Sequence, residues 1–156
     1  MRFLTKSRFK QALECSTKLF YTNKREYANL SNEDSFLQSL AEGGFQVGEL
    51  AKFYLHDNPI EENITIESRD YNDAINQTQE MLKIEGRVVI AEAAFKFNNL
   101  FVRVDMLVKD GDKISIYEVK AKSWNNEKDS FFDKKQRKIT SSWIPYLYDI
   151  AFQKYV

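Results

Sequence analysis

The chain has 156 residues, 43% of them hydrophobic and 29% charged, a composition typical of one globular domain spanning residues 1–156 and not of a disordered chain. Its 23 basic and 23 acidic side chains cancel, which excludes an overall positive field that would attract nucleic acid. No apolar run reaches the roughly 20 residues of a membrane span, and no signal-peptide core follows the N-terminus. A cytoplasmic protein without a membrane partner is therefore predicted.

The N-terminal segment is predicted to be helical. Thr5 or Ser7 suits the N-cap of a helix that extends to about Glu14, because a hydroxyl group accepts a hydrogen bond from the free N–H groups of the first turn. The predicted buried stripe of this helix is Phe9, Ala12 and Leu13. The segment Cys15-Ser16-Thr17 is expected to interrupt it. Cys15, the one cysteine of the chain, agrees with a reducing compartment.

An aromatic patch with interleaved basic residues follows. It contains Leu19, Phe20, Tyr21 and Tyr27 among Lys18, Lys24 and Arg25. Two interpretations stay open, namely rings that stack on the bases of a single strand and amphipathic rings that pack into the core.

The next two elements are also predicted helices. One begins at Ser31 or Asn32, and its apolar residues recur at helical spacing. They are Phe36, Leu37, Leu40, Phe45, Val47, Leu50, Ala51 and Tyr54. A connector over 57–69 contains one short strand at Ile64-Thr65-Ile66, and a helix from Asp70 to Lys83 follows it. The apolar side of that helix is Ala74, Ile75, Thr78 and Leu82.

Three consecutive strands are predicted after this helix. The first spans 87–97 and turns at Asn98-Asn99, because Asn tolerates the positive φ of a two-residue turn. The second starts at Phe101 and turns at Asp110-Gly111-Asp112 into the third, which gives an antiparallel meander. Glu92 lies in the middle of the first strand, either as a salt-bridge partner of Arg103 or as an acid beside a metal.

The last two strands carry the candidate chemistry. Val102, Val104, Met106 and Val108 are predicted to share one face. Asp105 then points to the other face, and Glu118 and Lys120 share a face of the next strand. Two carboxylates, with the Val119 carbonyl as a third ligand, suit Mg²⁺ or Mn²⁺. The plain alternative is a surface hairpin with a charged solvent face.

Asp105 followed by Glu118-Val119-Lys120 resembles the core motif of the PD-(D/E)XK nuclease superfamily. The segment from Leu4 to Tyr21 is similar to the start of its RecB-like and CRISPR-associated exonuclease branch. The resemblance implies an α/β restriction-endonuclease-like core, with a mixed central sheet begun by a three-stranded antiparallel meander and flanked by helices. It also implies a metal-dependent deoxyribonuclease that acts on single- or double-stranded DNA. Asp105 and Glu118 then bind the metal, and Lys120 orients water or stabilises negative charge.

The same resemblance extends to further residues. A helix of the family contributes a Glu or His to the metal, and Glu49 occupies the matching place, with Glu42 and His56 as rivals. Some members of the branch use a cysteine near position 15 as one of four iron–sulfur ligands. This chain has no second cysteine, so we expect no such cluster in this chain alone, and Cys15 is expected to be a small buried thiol.

The C-terminal third begins with a polar segment and ends in a helix. The segment contains the one local basic cluster, which we interpret either as a solvated face or, together with Lys122, as a flap that follows the DNA backbone. The cluster is Lys134, Lys135, Arg137 and Lys138. The helix spans 142–156, and its predicted apolar stripe is Trp143, Leu147, Ile150 and Ala151.

The resemblance gives this last helix a Gln followed by a Tyr near the substrate. Gln153 matches as an assisting catalytic residue, whereas Tyr155 follows at a shorter interval than is usual. The family core normally adds a strand beyond this helix, so we expect a further C-terminal region or a second copy of the chain to complete the sheet. A non-catalytic nucleic-acid-binding or assembly module with the same fold is the alternative function. The sequence leaves open DNA or RNA, and cleavage at an end or internally.

Overall fold

A meander of three antiparallel strands forms the centre of the molecule, as the turn residues predict. The computed structural model describes residues 3–22, 24, 26–27, 34–55 and 64–156. Its elements are β1 (Leu4–Thr5), α1 (Lys6–Glu14), α2 (Ser16–Tyr21), α3 (Ser35–Tyr54), β2 (Ile64–Thr65), α4 (Tyr71–Leu82), β3 (Arg87–Phe97), β4 (Leu100–Asp110), β5 (Lys113–Tyr117) and α5 (Ile144–Tyr155). Asn98 and Gly111, at the two predicted turns, both have positive φ, 53° and 56°.

The sheet is mixed, because two short strands join the meander in parallel. β2 pairs with β3, and β1 pairs with β4. Strand β3 covers the whole length of β4, from Phe97 opposite Leu100 to Arg87 opposite Asp110. Therefore β1 and β5 must both lie along the other edge of β4. The prediction of an α/β protein with a mixed sheet and flanking helices is confirmed.

The strands of the meander do not keep one apolar face throughout. Val102 and Val104 belong to the larger core cluster, whereas Met106 and Val108 belong to a smaller one with Leu55 and Val119. The prediction that the four share a face is therefore wrong. The regular ladder is interrupted between the Ala91–Met106 and Ala93–Val104 pairs, and Glu92 has a φ of 59°. This left-handed residue breaks the alternation of side chains between faces.

Helix α4 forms where the sequence predicts a helix, and it packs on β3. Asp70 caps it by accepting hydrogen bonds from the N–H groups of Asn72 and Asp73. Thr78 is fully buried, donates to the Ala74 carbonyl and accepts a 2.8 Å hydrogen bond from the Ala94 N–H. The helix is thereby joined to the backbone of the central strand.

Helix α3 begins later than predicted and leaves its apolar residues largely exposed. Asp34 is its N-cap and accepts from the Phe36 and Leu37 N–H groups; Ser31 and Asn32 lie outside the described residues. Phe36 is 70% exposed and Leu50 69%. Among the described residues, α3 has none that is buried.

The predicted apolar stripe of the last helix is wrong. Ile150 and Ala151 are exposed, and the residues of α5 that are buried are Asp149, Phe152 and Gln153. Phe152 stacks on Phe9 of α1 at a centroid distance of 5.0 Å. The inward face of α5 thus carries one apolar ring and two polar side chains. Apolar periodicity in the sequence does not predict such a mixed face.

The first helix agrees with the predicted bounds but not with the predicted burial, and α2 was not predicted. Thr5 caps α1, and Cys15 separates α1 from α2. Leu13 is 49% exposed, against the prediction of a buried stripe. Cys15 is also exposed, so the prediction of a buried thiol is wrong.

In the aromatic patch, Phe20 is 61% exposed with the Lys24 ammonium 3.3 Å from its ring centroid, so core packing does not explain this ring.

Candidate active site

A gap along one edge of β4 brings distant parts of the chain together. β1 pairs with Leu100 and Phe101, and β5 pairs with 106–110, so neither strand covers the edge at 102–105. Lys6 directly follows β1, and Glu118 directly follows β5. The two strands approach the gap from opposite ends. They place the Lys6 and Glu118 side chains beside Asp105, which lies in the gap.

The Lys6 ammonium lies between the two predicted metal ligands. Its Nζ is 3.2 Å from Asp105 Oδ1 and 2.9 Å from Glu118 Oε2. Burial alone would lower the pKa of Lys6, but the charges of Asp105 and Glu118 outweigh it and raise that pKa above its ordinary value. The sequence does not predict a role for Lys6. The strand that positions it, β1, is only two residues long and gives no strand signal.

Glu118 is more enclosed than Asp105, with 3% of its side chain exposed against 27%. Besides Lys6, it accepts a hydrogen bond from Lys120 Nζ and one of 2.5 Å from Gln153 Nε2. Burial alone would raise the pKa of Glu118, but the Lys120 hydrogen bond and the Lys6 charge outweigh it and hold the pKa below its ordinary value. Glu118 is therefore an anion at neutral pH.

Asp105 is oriented by the backbone of Val119, in the segment that follows β5. Its Oδ2 accepts a 2.8 Å hydrogen bond from the Val119 N–H, which leaves Oδ1 facing Lys6. β5 ends at Tyr117, so Glu118, Val119 and Lys120 follow the strand rather than lie within it. The structure nevertheless brings together Asp105, Glu118 and Lys120, three of the predicted catalytic residues.

Helix α5 forms a polar wall behind Glu118. The buried Asp149 Oδ2 is 3.3 Å from Lys10 Nζ and 3.8 Å from Lys120 Nζ. Asp149 Oδ1 and Gln153 Oε1 are buried without a hydrogen-bond partner among the described residues. Gln153, the predicted assisting residue, reaches the site through its hydrogen bond to Glu118. The Tyr155 ring instead packs against the Phe97 ring, with 5.9 Å between the two centroids. The spacing of Asp149 and Gln153, four residues apart, predicts that they share one helical face, but neither Asp149 nor Lys10 was predicted to take part in the site.

A cleft of about 680 Å³ lies between α3 and the sheet, beside this cluster. Glu49, Asp105, Val119 and Lys120 line it. Glu49 faces the cleft but is paired with Lys52 at 2.7 Å, and the described residues contain no set of three acidic, His or Cys side chains close enough to hold one ion. Glu42 does not line the cleft, and His56 lies outside the described residues.

Glu92 lines the same cleft from the central strand. Arg103 Nη1 is 3.8 Å from its carboxylate, as the salt-bridge interpretation predicted, and Arg103 also donates to the Ile66 and Ser68 carbonyls. Burial, followed by the charge of Asp105, raises the pKa of Glu92 above its ordinary value despite the opposing charge of Arg103. The ionised form of Glu92 therefore has a higher free energy in the folded protein than in water.

The Glu92→Gln variant should be more stable than the wild-type protein at neutral pH. The pKa of Glu92 is raised in the folded protein, so the ionised side chain destabilises the fold. This destabilisation is fully present at a pH above the folded-state pKa, and it disappears at a pH below the ordinary pKa of a glutamate. We expect the melting temperature to rise by about 1–3 °C at pH 7 and the difference to vanish near pH 4. Thermal denaturation at several pH values measures this, and an increase that is equal at every pH contradicts it.

The predicted nucleic-acid-binding lysines are on the surface of the segment between β5 and α5. Lys122 is exposed and its Nζ lies 5.2 Å from the centroid of the Trp143 ring. The basic run is also exposed, on a turn in which Asp133 accepts a 2.9 Å hydrogen bond from the Arg137 N–H. Within the described part of the chain, these side chains make no ion pair with Asp105 or Glu118, whose partners are Lys6 and Lys120.

Comparisons of the chain with family models, with curated proteins and with solved structures found no match. Within the described ranges, the structure has no helix of the length and apolarity that a membrane crossing requires.

Proposed function

We propose that this chain is a Mg²⁺- or Mn²⁺-dependent deoxyribonuclease with a restriction-endonuclease-like core of the PD-(D/E)XK type. The observation that supports this most directly is that Asp105 and Glu118 contact one and the same cationic group, the Lys6 ammonium. Two carboxylates arranged around a single positive charge are suited to share a cation. Lys120 and Gln153, which the same resemblance implies, contact Glu118.

The donor set fits a hard divalent ion. Asp105 Oδ1 and a Glu118 oxygen would hold it, since carboxylate oxygens are the preferred ligands of Mg²⁺ and Mn²⁺, which keep several waters. When bound, such an ion activates a water and offsets charge on a phosphodiester. For either carboxylate to bind it, the Lys6 ammonium must move away from the position that it occupies between them.

The other residues have separate tasks in this proposal. Gln153 and the Val119 N–H orient the carboxylates of Glu118 and Asp105. Lys120 orients the attacking water or stabilises the negative charge that develops on the phosphate. Glu49 faces the cleft as a further acidic group, and Lys122 with the basic run holds the DNA backbone.

Cleavage of linear DNA in the presence of Mn²⁺ or Mg²⁺ tests the proposal. We expect the Asp105→Asn variant to lose about a hundredfold in rate or more, because an amide is a weak ligand for a hard cation. Asp110→Asn is the matched control, since Asp110 lies on the same strand at the exposed hairpin end. If wild-type protein shows no metal-dependent cleavage, or if both variants cleave equally, the proposal is wrong.

The second candidate function is a non-catalytic nucleic-acid-binding or assembly module. It is favoured by the same ion pairs, because Lys6 already neutralises the carboxylates that a metal would use. Calorimetric titration with Mn²⁺ separates the two functions. A module in which Lys6 stays in place binds no Mn²⁺ through Asp105 and Glu118, whereas the nuclease binds it and loses it in the Asp105→Asn variant.

A further inference from the structure

Four aromatic rings form a surface cluster at the beginning of α5, which we call the aromatic platform. Its members are Trp124, Phe131, Trp143 and Tyr146. The Trp143 ring is at the centre, with centroid distances of 5.5 Å to Trp124, 5.7 Å to Phe131 and 5.6 Å to Tyr146. Trp124 is 47% exposed. The platform therefore presents a large indole surface to solvent.

The charge around the platform is positive although the chain as a whole is neutral. From 122 to 143 there are six basic and three acidic residues. The Lys122 ammonium lies 5.2 Å from the Trp143 ring centroid and 5.8 Å from that of Tyr146. An ammonium group thus lies beside two of the aromatic rings, and this combination suits a polyanion that also carries flat apolar groups.

The platform is close to the candidate active site. The Lys122 N–H donates a 2.9 Å hydrogen bond to the Lys120 carbonyl. Tyr146 and Gln153 are on one helix, and seven residues of α-helix span about 10 Å, the length of about three stacked nucleotides. A strand bound on the platform thus lies within a few nucleotides of Glu118.

We propose that the aromatic platform binds single-stranded DNA, with bases stacked on the exposed indole of Trp124 and phosphates held by Lys122 and the basic run. Unpaired bases expose the faces that aromatic side chains stack on, whereas a duplex hides them. The inference deepens the proposed function by naming the substrate class as a single strand. Binding itself needs neither the metal nor the carboxylates.

Both tryptophans of the chain belong to the platform, so intrinsic fluorescence reports on it directly. The full chain is titrated in EDTA, which prevents cleavage, with oligothymidylate of about 12 nucleotides, its oligouridylate counterpart and a duplex of equal length. We expect saturable quenching by oligothymidylate, about tenfold weaker binding of the duplex, and weakening by added salt. Quenching by oligouridylate alone would assign the platform to RNA and contradict the inference.

Variants test the stacking itself through the anisotropy of a labelled oligonucleotide. We expect Trp124→Ala to weaken binding about tenfold and Trp124→Phe to restore most of it. Phe97→Ala is the control, since Phe97 is 46% exposed and belongs to β3. Absence of quenching at low salt, equal affinity for the duplex, or equal losses in Trp124→Ala and Phe97→Ala would overturn the inference. Because no metal is present, these outcomes are independent of whether the protein cleaves DNA.

Discussion

Replacing Glu118 with leucine should lower the free energy of unfolding by about 3 kcal/mol, since three partner side chains then lose the buried carboxylate that they contact. Glu118 has 3% of its side chain exposed and accepts from Lys6, Lys120 and Gln153. The expected loss is at the low end of the range for buried pairs, because Lys6 and Lys120 keep part of their solvent exposure. Urea denaturation at pH 7 measures it.

The pH dependence of this loss gives an independent check. The pKa of Glu118 is lowered in the folded protein. Its contribution to stability is therefore present above the ordinary pKa of a glutamate and is lost as the pH falls through the lower folded-state value. The difference between wild type and Glu118→Leu should shrink in acid.

Two further variants assign the loss to the buried network. Glu80→Leu removes an exposed carboxylate paired with Lys83, and we expect it to cost at most about 1 kcal/mol. Lys6→Met should cost less stability in the Glu118→Leu background than in the wild-type protein, since one of the two carboxylate partners of Lys6 is then already absent. If Glu118→Leu and Glu80→Leu are equally stable, the network does not support the fold.

The meander could be predicted because its signals are local. The turns at Asn98 and Gly111 depend on residues that tolerate positive φ, and the strands between them are long. The approach of Asp105 to Glu118 follows from the same hairpin. Local signals of this kind need no knowledge of the rest of the chain.

The remaining features of the site depend on contacts between distant segments. Lys6 reaches Asp105 only because a two-residue strand pairs with Leu100 and Phe101. Asp149 is buried because Lys10 and Lys120 compensate its charge, and apolar periodicity predicts the opposite. The face reversal beside Glu92 arises from one left-handed residue, which strand alternation does not anticipate. The first two are tertiary effects that override a local pattern, and the third is a local backbone conformation that the residue type does not predict.

Replacing Lys6 with methionine should tighten Mn²⁺ binding by about a hundredfold, because the ammonium and the ion compete for the same carboxylates. In the wild-type protein, binding must displace an ammonium that is 3.2 Å from Asp105 and 2.9 Å from Glu118. Methionine has a similar length and no charge, so it removes the competitor and keeps most of the packing. Isothermal calorimetry of the two proteins measures the difference.

The control is Lys10→Met, the same substitution one turn later in α1. Lys10 pairs with Asp149 and not with Asp105 or Glu118, so its loss should change Mn²⁺ affinity by no more than about threefold. A double variant of Lys6→Met and Asp105→Asn should lose the gain, which places the ion at these carboxylates. Equal or weaker Mn²⁺ binding by Lys6→Met would mean that Lys6 does not compete with a metal. Its ammonium would then be a permanent part of the site, as the non-catalytic alternative requires.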